Sequence, residues 1–248
     1  MHPNPQRLTI FISDLHLSDE RSEINTLFFQ FLENIAIKAE SLFILGDLFD
    51  YWVGDDQLDH DPIARQVADA LKVLAQGGVN IFFMSGNRDF LIGQRFADET
   101  GLVILTDPNL VNLYGQQTLL MHGDTLCTDD VMYQKFRAQT RTGDWINATL
   151  GRPYEARQQL AQSIRSQSDS AKSQKPEEIM DVAEATVQQA FRQHRYPLLI
   201  HGHTHRPATH QHVVDGHRCE RWVLADWHRR GEYLEVSEHG VKRVGIRI

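Results

Sequence analysis

The chain has 248 residues, 41% of them hydrophobic and 23% charged, and its formal net charge of −8 speaks against broad nucleic-acid binding. No run reaches the roughly eighteen apolar residues of a membrane helix, and the few apolar-type residues after positions 1–7 are too short for a signal-peptide core, so neither a spanning nor an exported chain is expected. Cys127 and Cys219 make no disulfide framework, and a reduced, cytoplasmic protein is the expectation.

Residues 8–12 read as a first strand. Over 22–38 the apolar residues Ile24, Leu27, Phe28, Phe31, Leu32 and Ile35 recur at helical spacing. Residues 42–45 form a second short strand. A helix over 62–76 opens on Pro62 and stops at Gly77-Gly78. A third strand covers 81–84, and this β-α-β-α-β order predicts an α/β fold with sheet strands covered by helices. Residues 119–121 follow a turn at 114–117, and 198–200 give another strand. Beyond Pro207 the chain turns to strands at 210–214, 221–224, 233–236 and 241–246, with Asp215-Gly216 as a hairpin signal.

Residues 126–195 differ in character. They are mostly helical in pattern, and the part over 131–175 carries eight Lys/Arg against three acids, a balance of +5 that leaves −13 for the rest. The spacing predicts a helical cap inserted into a core of residues 1–125 and 196–248. The polar stretch 166–175 reads equally as a mobile loop or a surface turn.

Each expected core strand runs straight into polar, metal-competent residues: Ser13-Asp14-Leu15-His16, Gly46-Asp47, Gly86-Asn87-Arg88-Asp89, His122-Gly123-Asp124 and His201-Gly202-His203-Thr204-His205. Any one of these has an ordinary explanation, such as a helix cap at Asp47, a turn at Asn87 or a surface pair at His203 and His205. Five at five strand exits do not follow from core packing. Imidazole with carboxylate and amide oxygen suits a pair of manganese-like, iron-like or zinc ions better than calcium. Asp47 is the natural bridge, because a carboxylate offers one oxygen to each of two cations. Two close divalent ions acidify water and clamp both oxygens of an in-line phosphoryl displacement.

In this order the motifs Asp-x-His, Gly-Asp, Gly-Asn-x-Asp, His-Gly-Asp and Gly-His-x-His resemble those of the calcineurin-like metallophosphoesterases, over residues 14–205. The resemblance implies a four-layered α/β/β/α sandwich. It implies one ion held by Asp14, His16, Asp47 and His205, and a second held by Asp47, Asn87, His122 and His203. Most of that superfamily has His where this chain has Arg88, and a guanidinium there can hold a phosphate through two hydrogen bonds and neutralise transition-state charge.

The longer strings DLHL, LFILGDLFDYWVGDD, GNRDFLIGQRFA, LLMHGDTLCTDD and LIHGHTHRPA resemble the branch of UDP-2,3-diacylglucosamine diphosphatases of lipid A biosynthesis. That resemblance implies hydrolysis by water attack on the α-phosphorus, giving UMP and 2,3-diacylglucosamine 1-phosphate. It implies two manganese ions and a peripheral position on the cytoplasmic face of the inner membrane. Asp47, Asn87 and Arg88 would act in catalysis. Substrate contacts would fall on Asn87, Arg88, Asp130, Ser168, Lys172, Lys175 and His203, with Lys172 standing where the branch usually has Asn. Tyr133 is a further candidate or a half-buried helix aromatic. A basic, amphipathic insertion suits a diphosphate-linked lipid and an anionic membrane surface, or merely solvates helix faces. The rival readings are the same metal chemistry on a nucleotide or other phosphoester, and a scaffold that has lost its metals. No oligomer is implied.

Overall fold

The computed structural model describes residues 7–172, 181–228 and 230–247, without the side chains of 167–172. Chain order is β1 (Thr9–Ile12), α1 (Ser22–Asn34), β2 (Ser41–Leu45), α2 (Gln57–His60), α3 (Pro62–Gln76), β3 (Asn80–Met84), α4 (Gln94–Thr100) and β4 (Val103–Leu105). Then come β5 (Asn109–Leu113), β6 (Gln116–Met121), α5 (Val131–Thr140), α6 (Gly143–Leu150), α7 (Tyr154–Lys172) and α8 (Glu184–Gln193). The chain closes with β7 (Leu198–His201), β8 (Ala208–Val214), β9 (His217–Val223), β10 (Gly231–Ser237) and β11 (Gly240–Ile246).

The strands form two sheets, one in the order β11-β10-β1-β2-β3-β4 and one in the order β5-β6-β7-β9-β8. Side chains alternate faces along a strand, and the central strands β1, β2 and β7 are buried on both faces, so the middle of each sheet must be covered twice. In β1 and β2, Ile10, Ile12, Leu42 and Ile44 join the cluster under α1, α3 and α4, while Phe11, Phe43 and Leu45 point the other way. Those meet Leu120, Leu198 and Ile200 of the second sheet, which form the layer between the sheets. Leu119, Met121 and Leu199 face outward again, against Val187 and Phe191 of α8. Four layers follow, helices outside and sheets inside. Although α8 lies within the insertion expected at 126–195, it supplies the outer layer on the second sheet.

Local signals hold where they were strongest. In α3 the Asp61 carboxylate accepts from the amides of Ile63 and Ala64, Pro62 opens the helix and Gly77 closes it. The Tyr114-Gly115 and Asp215-Gly216 turns both lie at positive φ and join antiparallel neighbours. Two features depart from the expectation, and a third lay beyond it. The 22–38 helix ends at Asn34, because Ile35 sits at φ −118° and the chain restarts as a 3-10 turn over Ala36–Lys38. Short β4 and edge strand β5, along with α2 and α4, carry too little periodic signal to be anticipated. The last hairpin leaves the second sheet and returns to the first, where β10 pairs antiparallel with β1.

Because β1, β2 and β3 run parallel, their carboxyl ends open on one edge, and β6 and β7 do the same in their own sheet.

Candidate metal centre

Backbone hydrogen bonds join the strand exits in pairs. The amides of Asp14 and His16 donate to Gly46 O (3.1 Å) and Asp47 O (3.0 Å), and Gly202 N donates to His122 O (2.8 Å). His203 N then donates to Asp14 Oδ2 at 2.9 Å and links one sheet to the other. Five residues at these exits adopt left-handed backbone: Asp14, His16, Asp47, His203 and His205, with φ between 52° and 70°. For side chains of this kind such angles cost on the order of 1 kcal/mol each, and they gather where a fold over-determines a site. Two glycines make room: a Cβ on Gly86 would strike the Asp47 carboxylate, and one on Gly202 would strike the Ser13 hydroxyl and the Asp14 carboxylate.

Two groups of donor atoms result. In one, His205 Nε2 lies 3.4 Å from Asp14 Oδ1 and 3.4 Å from His16 Nε2. In the other, Asn87 Oδ1 lies 2.8 Å from His203 Nδ1 and 3.2 Å from His122 Nε2. Asp47 stands between them, with Oδ2 3.9 Å from His16 Nε2 and Oδ1 3.9 Å from His122 Nε2. All seven residues thus come together, and Asp14 also lies within reach of Asp47 and His122.

The chemistry of the donor set fits divalent ions. Asp14 Oδ1 is buried with no hydrogen-bond partner among the described residues, and two imidazole nitrogens face one another beside it. An unpartnered buried carboxylate oxygen is costly unless a cation meets it. Burial alone would push the Asp14 carboxyl up, yet His205, whose Nε2 approaches Oδ1 to 3.4 Å, and then the charges of His122 and His16, bring it well below the usual range. Burial likewise pushes His122 down, but Asp47, Asp124 and Asp14 outweigh it and raise the imidazole to about 9. Burial holds His203 down at about 3, helped by the charge of His122. His122 Nδ1 lies 2.8 Å from Leu45 O, which orients Nε2 inward.

Other acids brace the loops. Asp89 is fully buried and accepts from Leu48 N (2.7 Å) and Gly86 N (2.8 Å), tying the β2 and β3 exits together. Asp124 accepts from Tyr133 Oη (2.5 Å) and Arg137 Nε (2.8 Å), which fastens α5 to the β6 exit. Tyr133 is therefore held at the centre's rim, its ring 5.9 Å from that of His203. Asp130 caps α5, accepting from Tyr133 N at 3.1 Å. His201 lies apart: its Nδ1 meets Gly202 O and its Nε2 faces Arg221. Ser168 and Lys172 fall on α7 where side chains are not described, and Lys175 lies outside the described residues. The Cys127 thiol is buried, and that burial pushes it up to about 12. At pH 8 its thiolate is scarcer than that of an ordinary cysteine by more than about a hundredfold, so a thiol reagent should label it only after denaturant is added.

Beside Asn87 and Arg88 a groove opens between the core and α5–α7. It encloses about 550 Å³ of empty space, mouth included, against Trp52, Phe90, Phe136, Trp145, Leu160 and Ile164. Arg157 of α7 is buried, donating through Nη1 to Asp56 Oδ1 at 2.8 Å, and also to Val53 O; Arg165 pairs with Asp50 farther along the helix. Sequence reading passed over these two arginines, because nothing local marks a cation that reaches a loop about a hundred residues earlier. Asp56 is 41% exposed, so Arg157→Ala should cost only about 1–2 kcal/mol, read as a lower Tm. Amide exchange should rise chiefly in α7, and KM should rise more than kcat falls.

A profile of the calcineurin-like phosphoesterase family matches residues 8–207. The chain is 52% identical over 231 residues to the UDP-2,3-diacylglucosamine hydrolase of Aromatoleum aromaticum, covering 93% of this chain and 94% of that protein. It is 47% identical to the hydrolase of the same name from Stenotrophomonas maltophilia, covering 94% and 96%. The corresponding protein of Photorhabdus laumondii is 44% identical, covering 96% and 98%.

Proposed function

The chain belongs to the calcineurin-like phosphoesterase family, and we propose that it is the lipid A pathway hydrolase that cleaves the pyrophosphate bond of UDP-2,3-diacylglucosamine to UMP and 2,3-diacylglucosamine 1-phosphate. The observation that carries this reading is an apolar groove opening directly beside Asn87 and Arg88, at the edge of a carboxylate–imidazole centre. A phosphoesterase for soluble nucleotides has no use for such a groove. A diacylated sugar diphosphate needs it, because the acyl chains must leave water while the diphosphate stays among cations and polar donors.

Asp14, His16, Asp47 and His205 would hold one divalent ion, and Asp47, Asn87, His122 and His203 the other; the mixed imidazole and oxygen donors suit manganese, iron or zinc, and of these we assign manganese, as the resemblance implies. When bound, such a pair supplies acidified water and neutralises charge on the phosphoryl oxygens. The protein's own part is orientation. Asp47 faces both groups of donors, and its Oδ1 also accepts from Arg88 N at 2.8 Å, which fixes the carboxylate. Arg88 lines the groove beside Asn87, where its guanidinium would bind a phosphate and neutralise the charge that builds on the oxygens as the bond to the leaving group breaks. Tyr133, held by Asp124, closes the rim on the α5 side. Phe90, with the Arg141 guanidinium 3.3 Å from its ring centre, and Trp145 keep the lipid end dry. We assign Asp130, Ser168, Lys172 and Lys175 to the sugar and phosphate end of the substrate.

Helices α5–α7 act as the lid. No helix among the described residues is long and apolar enough to cross a membrane. We place the protein on the cytoplasmic face of the inner membrane through this lid, where exposed Val131 and Met132 stand on a basic segment. Purified protein with Mn²⁺ should release UMP from UDP-2,3-diacylglucosamine, measured by mass spectrometry of the products. No UMP alongside rapid turnover of a cyclic nucleotide would overturn the assignment.

A further inference from the structure

The Asp226 carboxylate faces the outer nitrogen of His205, with Oδ2 3.6 Å from Nδ1. The inner nitrogen, Nε2, faces Asp14 and His16. The ring therefore lies between two carboxylates, one nitrogen toward each. An imidazole gives a cation a lone pair from one nitrogen only when its proton sits on the other, and the group that accepts that proton sets the tautomer. At His122 a backbone carbonyl, Leu45 O, takes that role. At His205 the group in that position is Asp226, at ion-pair distance and just beyond hydrogen-bond length.

Asp226 is not a surface acid that happens to lie near. Its segment follows β9 and is fixed to both sides of the centre. Leu224 N donates to His201 O at 2.7 Å, and Trp227 N donates to Asp14 O at 3.1 Å. The Trp227 side chain is fully buried, and its Nε1 donates to Glu232 O at 2.9 Å. The Arg21 guanidinium joins Trp227 O to Leu15 O, the latter at 2.8 Å. The connection from the second sheet to the first thus crosses the edge of the centre, and its anchors on either side aim Asp226 at His205.

We infer that Asp226 is a positioning residue: it holds His205 in the tautomer and orientation that present Nε2 to the ion shared with Asp14, His16 and Asp47, and so sets the affinity for that ion alone. The inference rests on the two-ion reading above. Carboxylates placed behind ligating histidines change metal affinity about 10–100-fold when removed.

The test is calorimetric titration of metal-stripped protein with Mn²⁺, for the parent, Asp226→Ala, Asp226→Asn and Asp226→Glu, with equal Tm of the stripped proteins as the check on folding. The parent should bind two ions. Asp226→Ala should bind one unchanged and the other about 10–100-fold more weakly, with loss of the exchange-coupled Mn²⁺ pair signal in electron paramagnetic resonance at one added equivalent above the tight site. Asp226→Asn should fall between, and Asp226→Glu should restore both ions. An Asp226→Ala variant indistinguishable from a two-ion parent, or one that weakens both ions equally, would overturn this inference alone. A parent that takes up no Mn²⁺ would overturn the two-ion reading and this inference with it.

Discussion

Asp47→Asn should leave a folded protein whose release of UMP falls by at least about a thousandfold, since metal-ion charge stabilisation is worth several kcal/mol and each 1.36 kcal/mol is tenfold in rate. The substitution is chosen to spare the fold. Asn has the shape of Asp, tolerates the left-handed backbone found at this position, and keeps an oxygen to accept from Arg88 N. What it loses is the second anionic oxygen and the charge. Burial, reinforced by Asp14, already raises the Asp47 carboxyl, so the metal-free fold gains nothing from that charge. Tm of the stripped protein should therefore stay within a few degrees of the parent, while metal content falls. A variant that keeps two ions and more than a tenth of the parent's rate would show that Asp47 does not bridge.

Arg88→Lys should lower kcat by about a hundredfold, the loss typical of removing one group that stabilises transition-state charge, while metal content and Tm stay as in the parent. Lysine keeps the positive charge but not the planar fork that grips two phosphate oxygens at once. The position is exacting: the Arg88 amide is held by Asp47, and the residue lines the groove beside Asn87. Its charge also acts on His16 and Asp50, and because lysine keeps that charge the pH–rate profile should stay as in the parent. Steady-state rates against substrate concentration separate the two roles. A rise in KM with kcat intact would reduce Arg88 to a binding contact.

The site was legible in the sequence to an unusual degree, because a parallel α/β sheet puts its strand exits on one edge. An apolar run that ends in Asp, His or Asn therefore announces both the strand and the face where its polar residue will stand. Asp14, Asp47, Asn87, His122 and His205 were readable for that reason. Asp226 was not. It follows β9 in a stretch with no motif of its own, and its meaning depends on His205 standing in front of it. Arg157 and Arg165 were likewise hidden, being ordinary cations in a basic helix until α7 comes to rest on the loop carrying Asp50 and Asp56.

Taken alone, the order of residues determined the local matters: which segments alternate, which glycines turn, where Pro62 opens a helix, and which side chains at each strand exit are able to bind a cation. These depend on neighbours within a few positions, where backbone sterics and periodicity act. Tertiary structure decided the rest: that the last hairpin returns to the first sheet, that α8 forms the outer layer, and that each oxygen of Asp47 faces a different set of donors. It also decided that a carboxylate stands behind His205. Those outcomes join residues as many as 227 positions apart, such as Thr9 and Val236, and such pairs meet only when packed layers leave no other place for them.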